Sequence, residues 1–368
     1  MAAREDLEGR WRDRLVEEPR LTGMVTGAQA QREPFHRWIK YRQGFSPALV
    51  RMFLRENAGR GGWERGAILD PFAGAGTAVV ECARCSVRAV GVEALASLVF
   101  LTAAKWSRKC PPPRAVDAFT EWRQIADRLT TPIHRAALML AVARQHTSAG
   151  HVNRGALPLP RLLADCMAMI RDDLVQPLTT AGLLLHGDAR RMDMVADESI
   201  GGIITSPPYL SRYDYRETVN PVEQVHRHWY GPPATNPAQV QASPGTTGSR
   251  NSLQEAHAAV NEVCSALTRS GHEAQARTVQ NYWMDMRTVL QECRRVLARG
   301  APFWLVMGGA RLKNVYVPAD LIIAETAEMG GFHVDAVKVA RDLIPGRRRF
   351  GRIGSVSPRE SLLVIHKP

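Results

Sequence analysis

At 368 residues with 45% hydrophobic content, the chain can build one large α/β domain with insertions or two modest domains. No apolar run is long enough to span a bilayer, the charged start (Arg4, Glu5, Asp6, Glu8, Arg10) lacks the apolar segment of a signal peptide, and 6 cysteines in this length do not make a disulfide scaffold, so a cytoplasmic protein is expected. The net charge of +12 favours a polyanionic partner, and the excess is clustered: 11 Lys or Arg against 6 Asp or Glu in residues 101–180, and 8 against 3 in residues 335–368.

Leu7, Trp11, Leu15 and Val16 among alternating charges predict an amphipathic helix within residues 1–20. Ser46 as N-cap, Pro47 at the first helical position and the apolar Leu49, Val50, Phe53 and Leu54 predict a second helix, ended by Gly59, Gly61 and Gly62. A short buried strand, Ala67 to Asp70, runs into the turn Pro71-Phe72-Ala73-Gly74-Ala75-Gly76-Thr77 and a helix to Cys85. A second strand follows, Ala89 to Glu93, then a helix to about Trp106. Strand, Gly-rich turn, helix and strand in this order make the first half of a doubly wound sheet.

Cys110-Pro111-Pro112-Pro113 opens a linker, and residues 107–180 read as a helical insertion. The sheet resumes with Leu183 to Asp188 and with the apolar run Ile200 to Thr205, which stops at Pro207-Pro208 because proline cannot donate to a ladder. Residues 213–230 are polar and aromatic, and 231–251, rich in Pro, Gly, Ser and Thr, predict a mobile loop. A long helix of about 275–297 precedes a strand Pro302 to Met307, a helix Ala319 to Met329, a strand His333 to Val339 and a last strand Ser361 to His366. Ending on two consecutive strands predicts an antiparallel edge on an otherwise parallel sheet.

Three loci can carry chemistry. Gly74 and Gly76 let the backbone turn sharply beside the N–H groups of the next helix, and Glu93 lies 17 residues beyond Gly76, near the spacing at which an acid reaches ribose hydroxyls. Val79 stands where a pyrophosphate fingerprint needs a third glycine, which disfavours a nicotinamide dehydrogenase and suits a ligand with a ribose but no pyrophosphate. His186-Gly187-Asp188-Ala189 puts a carboxylate at the end of the third strand, where it serves a ligand or caps a helix. Ser206-Pro207-Pro208-Tyr209 is a stiff turn with a hydroxyl, carbonyls outside any ladder and a ring, a set that can grip a flat polar ring by edge and face. Cys82-x-x-Cys85 has no second pair and reads as core packing. His226-Arg227-His228 lacks a further ligand cluster and reads as a solvated or nucleic-acid-facing turn.

Taken in order, Phe45-Ser46-Pro47, Asp70 to Thr77, Glu93, Asp188 and Ser206-Pro207-Pro208-Tyr209 resemble the motifs of S-adenosylmethionine-dependent DNA amino-methyltransferases, over most of residues 34–105 and 181–310. The resemblance implies a Rossmann-like class I methyltransferase sheet with a helical insertion and S-adenosylmethionine as cofactor. It places Phe45 and Ser46 at the cofactor's methionine end, and Asp70, Phe72, Gly74, Gly76 and Thr77 as its cradle. Glu93 would take the ribose hydroxyls, and Asp188 with the Ala189 backbone would address the adenine. Ser206, Pro207, Pro208 and Tyr209 would hold the target base. Ser ahead of Pro-Pro is typical of the cytosine-N4 branch, so the expected product is N4-methylcytosine in DNA; an adenine-N6 or RNA enzyme of the same fold, or a catalytically silent DNA-binding module, are the alternatives. Arg212, Tyr213, Tyr215 and Arg216, together with Arg347, Arg348, Arg349 and Arg352, are the expected DNA contacts, no metal is implied, and a cognate restriction endonuclease is a candidate partner besides DNA. The implied organisation is an extension (1–33), a catalytic domain (34–106 and 181–368), and the insertion 107–180 as candidate recognition region, with 210–275 as a substrate-contacting segment.

Overall fold

The computed structural model describes residues 3–39, 44–59, 66–111, 121–149, 157–210, 215–232, 257–343 and 357–368, without the side chains of 147–149 and 215–218. In chain order the elements are α1 (Ala3–Trp11), β1 (Leu15–Glu17), α2 (Pro47–Glu56), β2 (Ala67–Asp70), α3 (Thr77–Arg84), β3 (Ala89–Glu93), α4 (Ala96–Ala103), α5 (Arg123–Ala126), α6 (Pro132–Ala149), α7 (Leu159–Asp173), β4 (Gly182–His186), β5 (Ile200–Thr205), α8 (Tyr215–Tyr230), α9 (Ala258–Arg269), α10 (Glu273–Val296), β6 (Pro302–Gly308), β7 (Ala310–Leu312), β8 (Val315–Val317), α11 (Ala319–Met329), β9 (His333–Asp342) and β10 (Arg359–His366). Apart from a small hairpin of β7 and β8, the strands form one sheet in the order β1-β9-β10-β6-β5-β2-β3-β4. All pairings in it are parallel except those of β10, which runs antiparallel to both β6 and β9. From β2 the chain winds outward through β3 to β4, then returns to lay β5 on the other side of β2. The carboxyl ends of β2 and β5 therefore flank the topological switch point, where open α/β sheets bind ligands. This is a Rossmann-like sheet, mostly parallel, as the motifs imply.

Alternation along the strands sorts side chains into two layers. Leu69, Ile203, Phe303 and Leu305 join the cluster under α10 and α11, while their neighbours Ile68, Ile204, Trp304 and Val306 join the cluster under α2 and α3. A third cluster is built by α5, α6 and α7 with α4 and α8, and Ala136 to Ala141 lie wholly inside it. The described part of the 107–180 segment thus shares its core with α3, α4, α8 and residues 35–39. Asp173 at the end of α7 ties it to residues 35–38, accepting from the Phe35 N–H at 2.7 Å, from Trp38 Nε1 at 2.8 Å and from the Arg37 guanidinium.

Three expectations change. The first helix ends at Trp11, and Leu15, Val16 and Glu17 instead pair in parallel with Val337, Lys338 and Val339. The unpaired edge of β9 offers backbone partners that outweigh a helical pattern resting on a few residues. The antiparallel strand β10 stands two strands in from that rim rather than at it. The segment 210–275 also carries two helices, α8 and α9.

The two chain ends are locked by a buried ion network. Arg359 on β10, fully buried, donates from Nε to Asp320 at 3.0 Å and from Nη1 to Glu8 at 2.8 Å, while Ser361 Oγ and the Tyr316 hydroxyl complete the two carboxylates at 3.0 Å each. Removing Arg359 deprives both carboxylates of this counter-charge in the core. Arg359→Leu is expected to lower unfolding stability in a urea titration by about 3–5 kcal/mol, with part regained in Arg359→Leu/Asp320→Asn; an unchanged midpoint in the single variant would show that the network contributes nothing.

Candidate active site

The Gly-rich turn is held from below and behind. Gly76 sits at φ +79°, and a Cβ there would collide with the Thr102 side chain, so only glycine serves both the left-handed backbone and the close approach. The Glu93 carboxylate, at the end of β3, accepts the Gly74 N–H at 2.8 Å through one oxygen and the Leu95 N–H at 2.8 Å through the other. Burial raises its pKa above the usual carboxylate range, against the pull of those backbone donors. Lys105, almost fully buried, donates to the Ala75 carbonyl at 2.6 Å, and burial brings its pKa down to about 7, partly offset by the charge of Asp173. Val79, at the position of the missing third glycine, is fully buried. Its space is made by glycines on the strands beneath: a Cβ on Gly91 would lie 2.9 Å, and one on Gly182 2.7 Å, from its methyl groups. The close helix–sheet packing survives with the small residues moved to the sheet.

The Pro-Pro turn stands beside it. Thr205, last residue of β5, donates its hydroxyl to Asp70 Oδ1 at 2.6 Å, and the same oxygen takes the Phe72 N–H at 3.1 Å. Asp70 is 2% exposed, and burial pushes its pKa up to about 7 although both hydrogen bonds oppose the shift. One carboxylate therefore joins the start of the Gly-rich turn to the start of Ser206-Pro207-Pro208-Tyr209. Further along, the Pro208 carbonyl accepts from the Tyr282 hydroxyl of α10 at 2.9 Å, and the Tyr209 hydroxyl donates to Glu360 Oε1 at 3.1 Å. The Tyr209 ring lies over Gly308, where a Cβ would come within 2.7 Å of it. Glu360 also accepts from Arg341 Nε at 2.5 Å, so the ring is anchored to β9 and β10.

Asp188 lies two residues past His186, the register partner of Glu93, so the two acids end adjacent strands. Its carboxylate receives a bidentate Arg190 (3.0 and 2.7 Å), whose third nitrogen reaches Asp285 on α10 at 2.7 Å. Ala189 is buried. Phe45 packs in the cluster of α2 and α3, and the Ser46 hydroxyl caps α2 by accepting the Ala48 N–H at 3.3 Å; neither side chain has open surface. Thr77 begins α3. Of the expected DNA contacts, Arg212, Tyr213, Arg347, Arg348, Arg349 and Arg352 lie outside the described residues, as do the side chains of Tyr215 and Arg216. His226-Arg227-His228 is not a turn: it lies in α8, with His226 buried and His228 bonded to Asp127 at 2.9 Å. Cys82 is buried on α3, and Cys85 is its exposed C-cap. Lys105, Tyr282, Asp285 and Glu360 reach the site from other elements and sit in no local motif, and Arg190, although next to Asp188 in sequence, carries no local signal that it pairs with that acid.

No protein-family model matches the chain. Among curated proteins it is similar to the Type II methyltransferase M.AvaI of Nostoc sp. (strain PCC 7120), 22% identical over 455 residues, with 98% of this chain and 92% of that protein covered; M.AvaI of Anabaena variabilis aligns with the same values. The Type II methyltransferase M.BsoBI of Geobacillus stearothermophilus is 19% identical over 451 residues, covering 94% of this chain and 88% of that protein. Among solved structures, a geranyl diphosphate methyltransferase in complex with GPP and sinefungin superimposes with a TM-score of 0.36 at 11% identity over 99% of this chain and 98% of that one, below the level from which a shared fold follows.

The raised Asp70 pKa has a signed consequence. The folded state binds this proton more tightly than the unfolded chain, so its contribution to stability is full below the unfolded value near 4 and is lost as pH rises through about 7. Asp70→Asn keeps an acceptor for Thr205 and Phe72 but does not titrate. Between pH 5 and pH 8 the wild type should lose on the order of 2 kcal/mol relative to Asp70→Asn in urea titrations. A constant difference would place the Asp70 pKa in the ordinary range.

Proposed function

We propose that the chain is a site-specific DNA methyltransferase that transfers a methyl group from S-adenosylmethionine to the exocyclic N4 amine of a flipped-out cytosine. The observation that carries this is the Thr205–Asp70 hydrogen bond at the switch point, which sets the two motif-bearing turns side by side. The long alignments with Type II methyltransferases support it.

The residues present fit the cofactor. The left-handed Gly76 leaves room for close backbone approach, and each Glu93 oxygen that takes a backbone N–H keeps a lone pair for a ribose hydroxyl. Gly74, Gly76 and Thr77 line the turn, Asp70 and Phe72 fix its entry, and Asp188 with the Ala189 backbone faces the adenine end. Phe45 and Ser46 act by seating α2 behind the turn, since their side chains are turned inward. When bound, the cofactor supplies a methyl group on a sulfonium, a strong leaving group.

The protein's work is then mostly positioning. An exocyclic amine is a weak nucleophile because its lone pair is delocalised into the ring. Hydrogen bonds from its two hydrogens to the Ser206 hydroxyl and the Pro207 carbonyl favour a pyramidal nitrogen with the lone pair aimed at the cofactor site. Tyr282 holds the next carbonyl and Glu360 holds the Tyr209 hydroxyl, so the turn and the ring that stacks on the base move little. A base within a duplex does not reach such a turn, so it is extruded first. Arg212 and Arg216 and the arginines at 347–349 and 352 supply phosphate contacts, and the 107–180 insertion and the 210–275 segment share base reading.

Incubation with S-adenosylmethionine and unmethylated DNA, followed by digestion and mass spectrometry of the nucleosides, should yield N4-methylcytosine. Ser206→Ala should lower turnover about 100-fold with cofactor affinity unchanged. N6-methyladenine as the product would overturn the choice of base. Cofactor binding without any methylated deoxynucleoside would overturn the DNA reading.

A further inference from the structure

Among the described residues, helix α8 carries two buried polar atoms with no partner. Glu223 is 8% exposed and its Oε2 makes no hydrogen bond there, while its other oxygen pairs with the Arg227 Nε, 3.5 Å away. His226, three residues on and also 8% exposed, has an unpartnered Nδ1. Buried polar atoms are nearly always paired, and an unpaired carboxylate oxygen is costly, so two on one helix face call for a ligand.

Their place in the fold says which ligand. Val219 and Val222 lie one turn before Glu223 and His226 on the same side of α8, and with Val225 they seat the helix in the cluster of α4 and α6. The His226 ring packs edge-on against Phe100 of α4 at 5.8 Å and lies 4.8 Å from the Tyr230 ring. Helix α4 begins three residues after Glu93, and His186 at the end of β4 hydrogen-bonds the Ala94 carbonyl at 3.1 Å. Helix α8 therefore packs against the helix that leaves the carboxyl end of β3 just after Glu93. The charge of Glu223 is felt at Glu93, where it adds to the rise caused by burial, and at His226, which burial holds in its neutral form. Two carboxylates sharing one end of the sheet repel each other unless something donates to both.

A ribose presents two adjacent hydroxyls, each a donor, and so suits two acceptors on opposite sides. We propose that Glu223 is a second acid for the cofactor's ribose: its unpartnered oxygen takes one hydroxyl of the cis-diol while Glu93 takes the other, and His226 adds a polar contact on the same wall. Helix α8 thereby closes one side of the nucleoside pocket. This rests on the cofactor reading above.

Isothermal titration calorimetry with S-adenosylhomocysteine and its 2′-deoxy and 3′-deoxy analogues, in the absence of DNA, separates the two claims. Wild type should bind S-adenosylhomocysteine, and Glu223→Ala and Glu223→Gln should weaken it, the alanine variant by about tenfold. One of the two deoxy analogues should bind wild type less tightly than the parent yet match it on Glu223→Ala. Unchanged affinity in both variants, or an equal deoxy penalty with and without Glu223, overturns the second acid and leaves the cofactor reading standing. No binding to folded wild type, with folding checked by thermal melting, overturns both.

Discussion

The hydrogen bond from Thr205 to Asp70 is the constraint on which the rest of the site depends. It is short, at 2.6 Å, and buried, and it spans neighbouring strands that the chain reaches 135 residues apart. The Gly-rich turn leaves β2 immediately after Asp70, and the Pro-Pro turn leaves β5 immediately after Thr205. One carboxylate thus fixes the relative position of two turns that, in the proposed reaction, act on two molecules at once. A hydrogen bond inside a low-dielectric region is stiff, and the proposed methyl transfer, which depends on in-line placement, needs stiffness there.

The same economy shows in the packing below. Val79 fills the space that a nucleotide-type fingerprint leaves to glycine, and Gly91 and Gly182 give that space back from the sheet. The helix after the turn therefore lies close to the sheet without a third glycine in the turn. Lys105 spends a buried amine on the Ala75 carbonyl, and Glu93 spends both oxygens on the N–H groups of Gly74 and Leu95. The turn is preorganised by side chains from three elements, and the Pro-Pro turn is gripped in the same manner by Tyr282 and Glu360.

What the sequence made legible was punctuation. Gly74 and Gly76, Pro207 and Pro208, and the apolar runs before them mark strand ends and turns by backbone chemistry alone, so the sheet and its switch point followed from local signals. What stayed hidden is supplied from afar. Tyr282 and Glu360 sit on elements whose pattern shows only a helix face and a strand. The three residues of β1 are too few for a period of two, and the edge they pair with is formed over 300 residues later. Helix α8 was missed because it carries Pro221 and a polar, aromatic run that reads as loop, while its valines bury a face only once α4 and α6 are in place. Arg190 between Asp188 and Asp285 shows the limit most clearly, since a motif names an acid but not the cation that occupies it.

The central claim is spatial: the cofactor lies on the Gly-rich turn with its reacting end toward Ser206 to Tyr209. A crystal structure of the full chain with S-adenosylhomocysteine measures this directly. The account predicts the ligand's ribose against Glu93 and its sulfur on the side of the Pro-Pro turn. A ligand bound elsewhere, or lying on the turn with its sulfur directed away from Ser206, would contradict it.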